Sequence, residues 1–99
     1  MQNLSNQQKR FLKSKAHNLN PVVIVAGNGL SENVIAAIEE ALEIHELIKV
    51  KLKADSKEQK DILVEAICEQ TGGTKIQLIG HVLILFRPSK KATIILPKA

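Results

Sequence analysis

The stretch Pro21-Val-Val-Ile-Val-Ala-Gly-Asn-Gly-Leu-Ser31 narrows the possible folds more than any other part of the chain. Val22 to Val25 are four consecutive β-branched residues and read as a short buried strand. Gly27-Asn28-Gly29 permits positive φ, and Ser31 with Glu32 behind it reads as a helix start. A strand that passes through a glycine bend into a helix commits the chain to a β-α crossover. The bend also gathers loop amides and the positive end of a helix dipole at one point, which suits an anion such as phosphate. A tight turn without any ligand would use the same residues.

On either side of this unit the pattern is regular. Ser5 and Gln8 match a capping box, and Phe11, Leu12 and Ala16 form the apolar stripe of a helix that ends near His17, before Asn20-Pro21. A second helix is predicted from Glu32 to His45, with Val34, Ile35, Ile38, Ala41 and Leu42 inward and Glu39, Glu40 and Glu43 outward. Leu47 to Lys53 alternates strictly, with Ile48, Val50 and Leu52 on one face and Lys49, Lys51 and Lys53 on the other. That lysine row fits an anionic partner, and it equally fits an edge strand guarded by charge.

Ser56 and Gln59 match a second capping box, opening a helix with Ile62, Leu63, Ala66 and Ile67 toward the core and Gly72-Gly73 at its end. Lys75 to Ile79 and Val82 to Phe86 read as a hairpin about Gly80-His81. Thr93 to Leu96 is expected to add a short edge strand. The order α-β-α-β-α-β-β over residues 1–99 predicts one α/β domain with a four-stranded mixed sheet. Right-handed crossovers would put the second and third helices on one face, with the first helix packed at the side.

Charge is segregated along the chain. The 99 residues carry a net charge of +4, yet all ten carboxylates fall between Glu32 and Glu69. The first twenty residues hold Lys9, Arg10, Lys13 and Lys15, and residues 70–99 hold Lys75, Arg87, Lys90, Lys91 and Lys98. Such a distribution marks a candidate for a polyanionic partner. No apolar run is long enough to span a membrane, and the N-terminus lacks the apolar core of a signal peptide, so a cytoplasmic monomer without membrane association is expected. Cys68 stands alone in a helical pattern and reads as a structural thiol.

Signatures of catalysis are missing. His17, His45 and His81 are scattered and share no metal-ligand spacing with Cys68 or a carboxylate. The third glycine of a dinucleotide fingerprint would fall at Glu32, and the lysine-hydroxyl pair of a phosphate loop is absent. No enzyme, cofactor or metal is expected. With Phe11 and Phe86 as the only aromatics, both expected in the core, base stacking on rings is disfavoured. Backbone and shape recognition by cations and loop amides remains.

Several of these residues carry a resemblance. Leu4-Ser5-x-x-Gln8-Lys9 with Leu12 and Ala16-His17, Pro21-Val-Val with Asn28-Gly29-Leu30, Glu46-Leu-Ile-Lys-Val-Lys51, Gln77-x-Ile79-Gly80 and Leu85-Phe86-Arg87-Pro88 together resemble the bacterial YhbY family, the single-domain form of the CRM domain (chloroplast RNA splicing and ribosome maturation). The resemblance implies an RNA-binding fold similar to the C-terminal domain of translation initiation factor three. It implies association with precursors of the large ribosomal subunit. It also implies a Gly-x-x-Gly loop that clamps an RNA backbone. Here the matching positions are Ala26, Gly27, Asn28 and Gly29, with Ala26 in place of the first glycine, so cations elsewhere must carry more of the phosphate contact.

The expected function is therefore RNA binding in ribosome biogenesis. The candidate residues are Lys9, Arg10, Lys13, Lys15, Gly27, Asn28, Gly29, Lys49, Lys51 and Arg87. The alternative is a protein-binding adaptor on ribosomal particles that docks through the acidic second helix without touching RNA.

Overall fold

The computed structural model describes residues 3–26 and 30–98, so the Gly27-Asn28-Gly29 bend lies outside the described residues. Three helices and four strands are present among them: α1 (Asn6–Ala16), β1 (Pro21–Val25), α2 (Glu32–His45), β2 (Leu47–Leu52), α3 (Lys57–Thr71), β3 (Thr74–Ile79) and β4 (Val82–Phe86). The strands form one mixed sheet in the order β1-β2-β4-β3, with β1 and β2 parallel and the other pairs antiparallel. The expected α/β class and element order are both present.

Local chemistry explains the helix ends. Ser5 Oγ accepts from the Gln8 backbone at 3.1 Å while Gln8 Oε1 accepts from the Ser5 backbone at 3.0 Å, a complete capping box. Ser31 and Ser56 cap α2 and α3 through the amides of Val34 and Gln59. The second predicted box is only half formed, because the Gln59 carboxamide reaches past Ser56 to the Asp55 amide. Gly72 ends α3 at φ +74°, a conformation that costs glycine little.

Alternation along β2 divides the interior into two clusters. Ile48, Val50 and Leu52 join Val25, Leu83 and Leu85 beneath Ile38 and Leu42 of α2 and Leu63, Val64, Ile67 and Cys68 of α3. Burial pushes the Cys68 thiol up, so it stays protonated and serves as a small apolar side chain. On the other face Leu47, Ile76, Ile84 and Phe86 are covered by Leu12 and Ala16 of α1. Helix α1 thus lies across the second face of the sheet, not at its side as expected.

Other expectations shift with that placement. Ile62 is 60% exposed, and the buried stripe of α3 is Leu63, Val64, Ile67, Cys68 and Thr71, rotated one residue round the helix. Phe86 is buried, but Phe11 sits half-exposed at the rim of the α1 cluster with Lys15 Nζ 5.6 Å from its ring centroid. Strand β1 is an edge strand whose second face α1 leaves largely open, so Val22 and Ile24 are exposed and the expected buried strand buries only its α2-facing side. Thr93 to Leu96 is not a strand.

That tail is held by a buried carboxylate instead. Glu46 closes α2 at φ +65°, unfavourable for a residue with a side chain, and is wholly buried. Its carboxylate accepts from the amides of Ser89, Thr93 and Ile94 at 3.0, 2.9 and 2.8 Å and from the Ser89 hydroxyl. Its own carbonyl receives the Arg87 amide and its amide donates to Leu42. Burial alone would raise its pKa, but the Ser89 hydroxyl and the three tail amides outweigh that and hold it at about 2, against an ordinary 4.5. Ile94 and Leu96 thereby rest on the α1 cluster, and Gln8 Nε2 donates to the Pro97 carbonyl at 2.9 Å.

Two consequences can be measured. Glu46→Gln turns an amide donor toward amide donors and is expected to lower the unfolding free energy at pH 7 by about 2–3 kcal/mol in urea denaturation. Because the folded pKa lies below the unfolded one, the stability this group contributes is whole above about pH 4.5 and is lost as pH falls toward about 2. The gap between native protein and E46Q should close over that window; a gap independent of pH would refute the ionised clamp.

Candidate nucleic-acid interface

The two layers differ in charge before any contact is considered. Helix α1 and all four strands contain no carboxylate, whereas α2 and α3 carry eight of the ten acidic residues; Glu46 and Asp55 sit in connections. Since α2 and α3 cover one face of the sheet and α1 part of the other, the linear segregation of charge becomes a spatial one. A polyanion approaching the α1 side meets cations and no competing carboxylate from these elements.

The sequence-predicted cations occupy three places on that side. Lys13 and Lys49 line one shallow cleft between α1 and the sheet, together with His17 and Gln77. Lys9, one turn before Lys13, shares its flank of α1 and is half-buried, while Arg10 points outward and is exposed. Lys15 lies on the opposite flank, over Phe11, beside a more apolar cleft formed with Leu19, Val22 and Ile94. Lys51 stands at the far end of β2, where it shares a hollow with Lys53, Asp55 and His81.

This far end is also where β1 ends, at Val25. Val25 pairs with Leu52, and the Lys53 amide donates to the Val25 carbonyl at 2.8 Å. The His81 carbonyl accepts from Leu52 at 2.7 Å, and Lys60 Nζ donates to the Gly80 carbonyl at 3.0 Å. The hairpin turn and Lys53 therefore stand near the end of β1. Neither Lys53 nor His81 figures among the sequence-predicted residues. Only the alternation of Lys49, Lys51 and Lys53 could have signalled the first, and nothing local signals the second.

The lysine row itself is decided by strand order. Strand β2 is flanked by β1 and β4, so Lys49 and Lys51 do not guard an edge. Their side chains occupy the interior of the sheet's second face.

Arg87 stands apart. Its guanidinium donates to the Thr71 carbonyl at 2.7 Å and to Glu43 at 3.2 Å, tying the C-terminal ends of α3 and α2 together. It follows β4, whose end pairs with the start of β2, while Lys51 lies near the other end of β2. The six residues of β2, Leu47–Leu52, put roughly 20 Å between the two ends. The structure brings Lys9, Arg10, Lys13, Lys49 and Lys51 to one side of the molecule and leaves Arg87 out of that group.

No group of three or more His, Cys, Asp and Glu side chains that could hold a metal ion occurs among the described residues. His17, His45 and His81 are all exposed. What the fold and this face define is a small α/β domain with one basic side suited to a polyanion. The chain belongs to the CRS1/YhbY (CRM) domain family, whose profile matches residues 4–87. It is 52% identical over 98 residues to a Haemophilus influenzae protein named "RNA-binding protein", covering 99% of each chain. To the Bacillus subtilis "Probable RNA-binding protein YqeI" it is 41% identical over 88 residues, 89% of this chain and 92% of the relative. Its fold is similar to the solution structure of a Staphylococcus aureus protein described as a candidate RNA-binding protein. The TM-score is 0.83 at 38% identity, over 96% of this chain and 100% of the other.

The division between structural and surface cations can be tested directly. Arg87→Ala removes the donor to the Thr71 carbonyl and should cost about 1–2 kcal/mol in thermal or urea unfolding. Lys13→Ala and Lys49→Ala, whose side chains form no ion pair among the described residues, should each stay within about 0.5 kcal/mol of the native protein.

Proposed function

We propose that this protein binds RNA in the assembly of the large ribosomal subunit, as a cytoplasmic factor that holds precursor RNA against its α1 side. The observation that carries the proposal is the side built from α1 and the strands, elements with no carboxylate, on which Lys9, Arg10, Lys13, Lys49 and Lys51 are gathered. The names of the relatives, each an RNA-binding protein or a candidate for one, support the choice of RNA among polyanions.

In this reading α1 and the middle of the sheet bind along the sugar-phosphate backbone. Lysines there act as point charges that displace condensed counterions, which supplies affinity without reading bases. Gly27, Asn28 and Gly29 would bring main-chain amides to a phosphate of the same strand. The acidic outer surface of α2 and α3 repels RNA and so orients the domain on it.

Filter binding across a salt series tests the proposal. With roughly five phosphates engaged, log affinity should fall against log salt with a slope of about −4. Replacing Lys9, Arg10 and Lys13 together by alanine should flatten that slope by about 2, with an unchanged melting temperature. In cell extracts the protein should sediment with precursor large-subunit particles and be released by ribonuclease. A flat salt dependence, or retention on particles after the RNA is digested, would instead favour an adaptor that docks through the acidic α2.

A further inference from the structure

Seven large hydrophobic side chains are exposed among the described residues, and four of them, Leu19, Val22, Ile24 and Ile79, lie on the second face of the sheet. The register shows how these fit together. Ile24 pairs with Lys51, Lys51 with Val82, and Val82 with Ile79, a continuous row across all four strands. The neighbouring row, Lys49–Ile84–Gln77, passes toward α1, whose apolar side chains cover Ile84. Helix α1 therefore roofs only part of this face. The row nearest the ends of β1 and β2 stays open, with Ile24 56% and Ile79 55% exposed, and Leu19, Pro21 and Lys49 border it on the side toward α1.

Phosphates cannot account for this row, because an anion gains nothing from isoleucine and valine. A protein that touched only RNA backbone would have no use for aliphatic surface on both sides of Lys51, with Ile24 on one and Val82 and Ile79 on the other, and exposed apolar groups that cluster mark a binding site. We infer that the open row is a seat for unpaired nucleobases. This inference rests on the RNA reading above and adds to it the kind of RNA that is bound.

The chemistry of a base matches the surface. A base has two apolar faces and a polar edge; laid flat on Val82 and Ile79, paired neighbours about 5 Å apart, it shields one face from water while its edge stays hydrated, and Ile24 beyond Lys51 offers a second, smaller platform. Lys49 and Lys51 project from the same face of one strand about 7 Å apart, placed to hold the phosphates on either side. No carboxylate on α1 or on any strand opposes them. In a duplex the base faces are already stacked on each other and only backbone and groove edges remain outside. Duplex RNA can therefore use the lysines but not the seat. The absence of exposed tyrosine and tryptophan does not exclude base contact here, since the aliphatic row supplies the apolar surface instead.

The test uses the full-length protein, a labelled mixed-sequence oligoribonucleotide of about twelve nucleotides, and the same strand annealed to its complement. The variant carries Val22→Thr, Ile24→Thr and Ile79→Thr, which keep β-branched shape at exposed positions and should leave the melting temperature unchanged. The native protein should bind the single strand about tenfold or more tightly than the duplex. The variant should lose about tenfold for the single strand only, with the same salt slope, because no phosphate contact is removed. Lys49→Ala with Lys51→Ala should weaken both ligands and flatten both slopes.

An equal loss for both ligands, or none for either, overturns the seat and leaves RNA binding standing. A native dimer in sedimentation that V22T/I24T/I79T dissociates also overturns it, making the row a contact between copies. Native protein that binds neither ligand at low salt refutes the underlying RNA reading.

Discussion

The period-two alternation of β2, at the centre of the sheet, is the constraint from which the rest of the molecule follows. Ile48, Val50 and Leu52 point to one side and must be covered, and α2 and α3 cover them. Leu47 points to the other side and belongs to the cluster under α1, but Lys49 and Lys51 on that same side cannot be buried without partners. Helix α1 can thus roof only the Leu47 end of the face. The lysine end remains open, together with the neighbours that the register lays beside it. A one-residue slip of β2 would bury lysines under α2 and α3 and expose the main core, so this register is strongly specified.

Glu46 fastens what the alternation arranges. It sits between the last turn of α2 and the first residue of β2 in a backbone conformation that glycine would adopt more easily. A side chain persists there because the carboxylate gathers three amides and a hydroxyl from the tail. A buried carboxylate with full hydrogen bonding is stable where an unpartnered one would not be. The same residue binds the start of the tail through its carbonyl and the Arg87 amide, which orients Arg87 toward the ends of α2 and α3. Arg87 is thereby employed inside the molecule, although its charge and position in the chain resemble those of the surface cations.

Much of the site could be read before the structure. Ser5, Ser31 and Ser56 announce their helices because capping involves residues three apart in the chain. The face of each β2 residue is local too, and the confinement of acids to residues 32–69 is visible at once. The core face of α3 was missed by one residue: Ile62 is as apolar as Leu63, and only the packed sheet decides which of them faces inward. Val22 and Ile24 were expected inside because β-branched runs suit buried strands, but an edge position opens one of their faces.

By itself the sequence determined the order of elements, their ends, the two faces of β2 and the sign of charge on each helix. These depend on spacings of two to four residues. Tertiary structure alone decided that α1 crosses the second face, that β2 is central, that Glu46 clamps tail amides 47 and 48 residues away, and that Ile24, Lys51, Val82 and Ile79 form one row. Each of these joins segments far apart in the chain. Their pairing is settled by which surfaces must leave water together, a condition that no short pattern records.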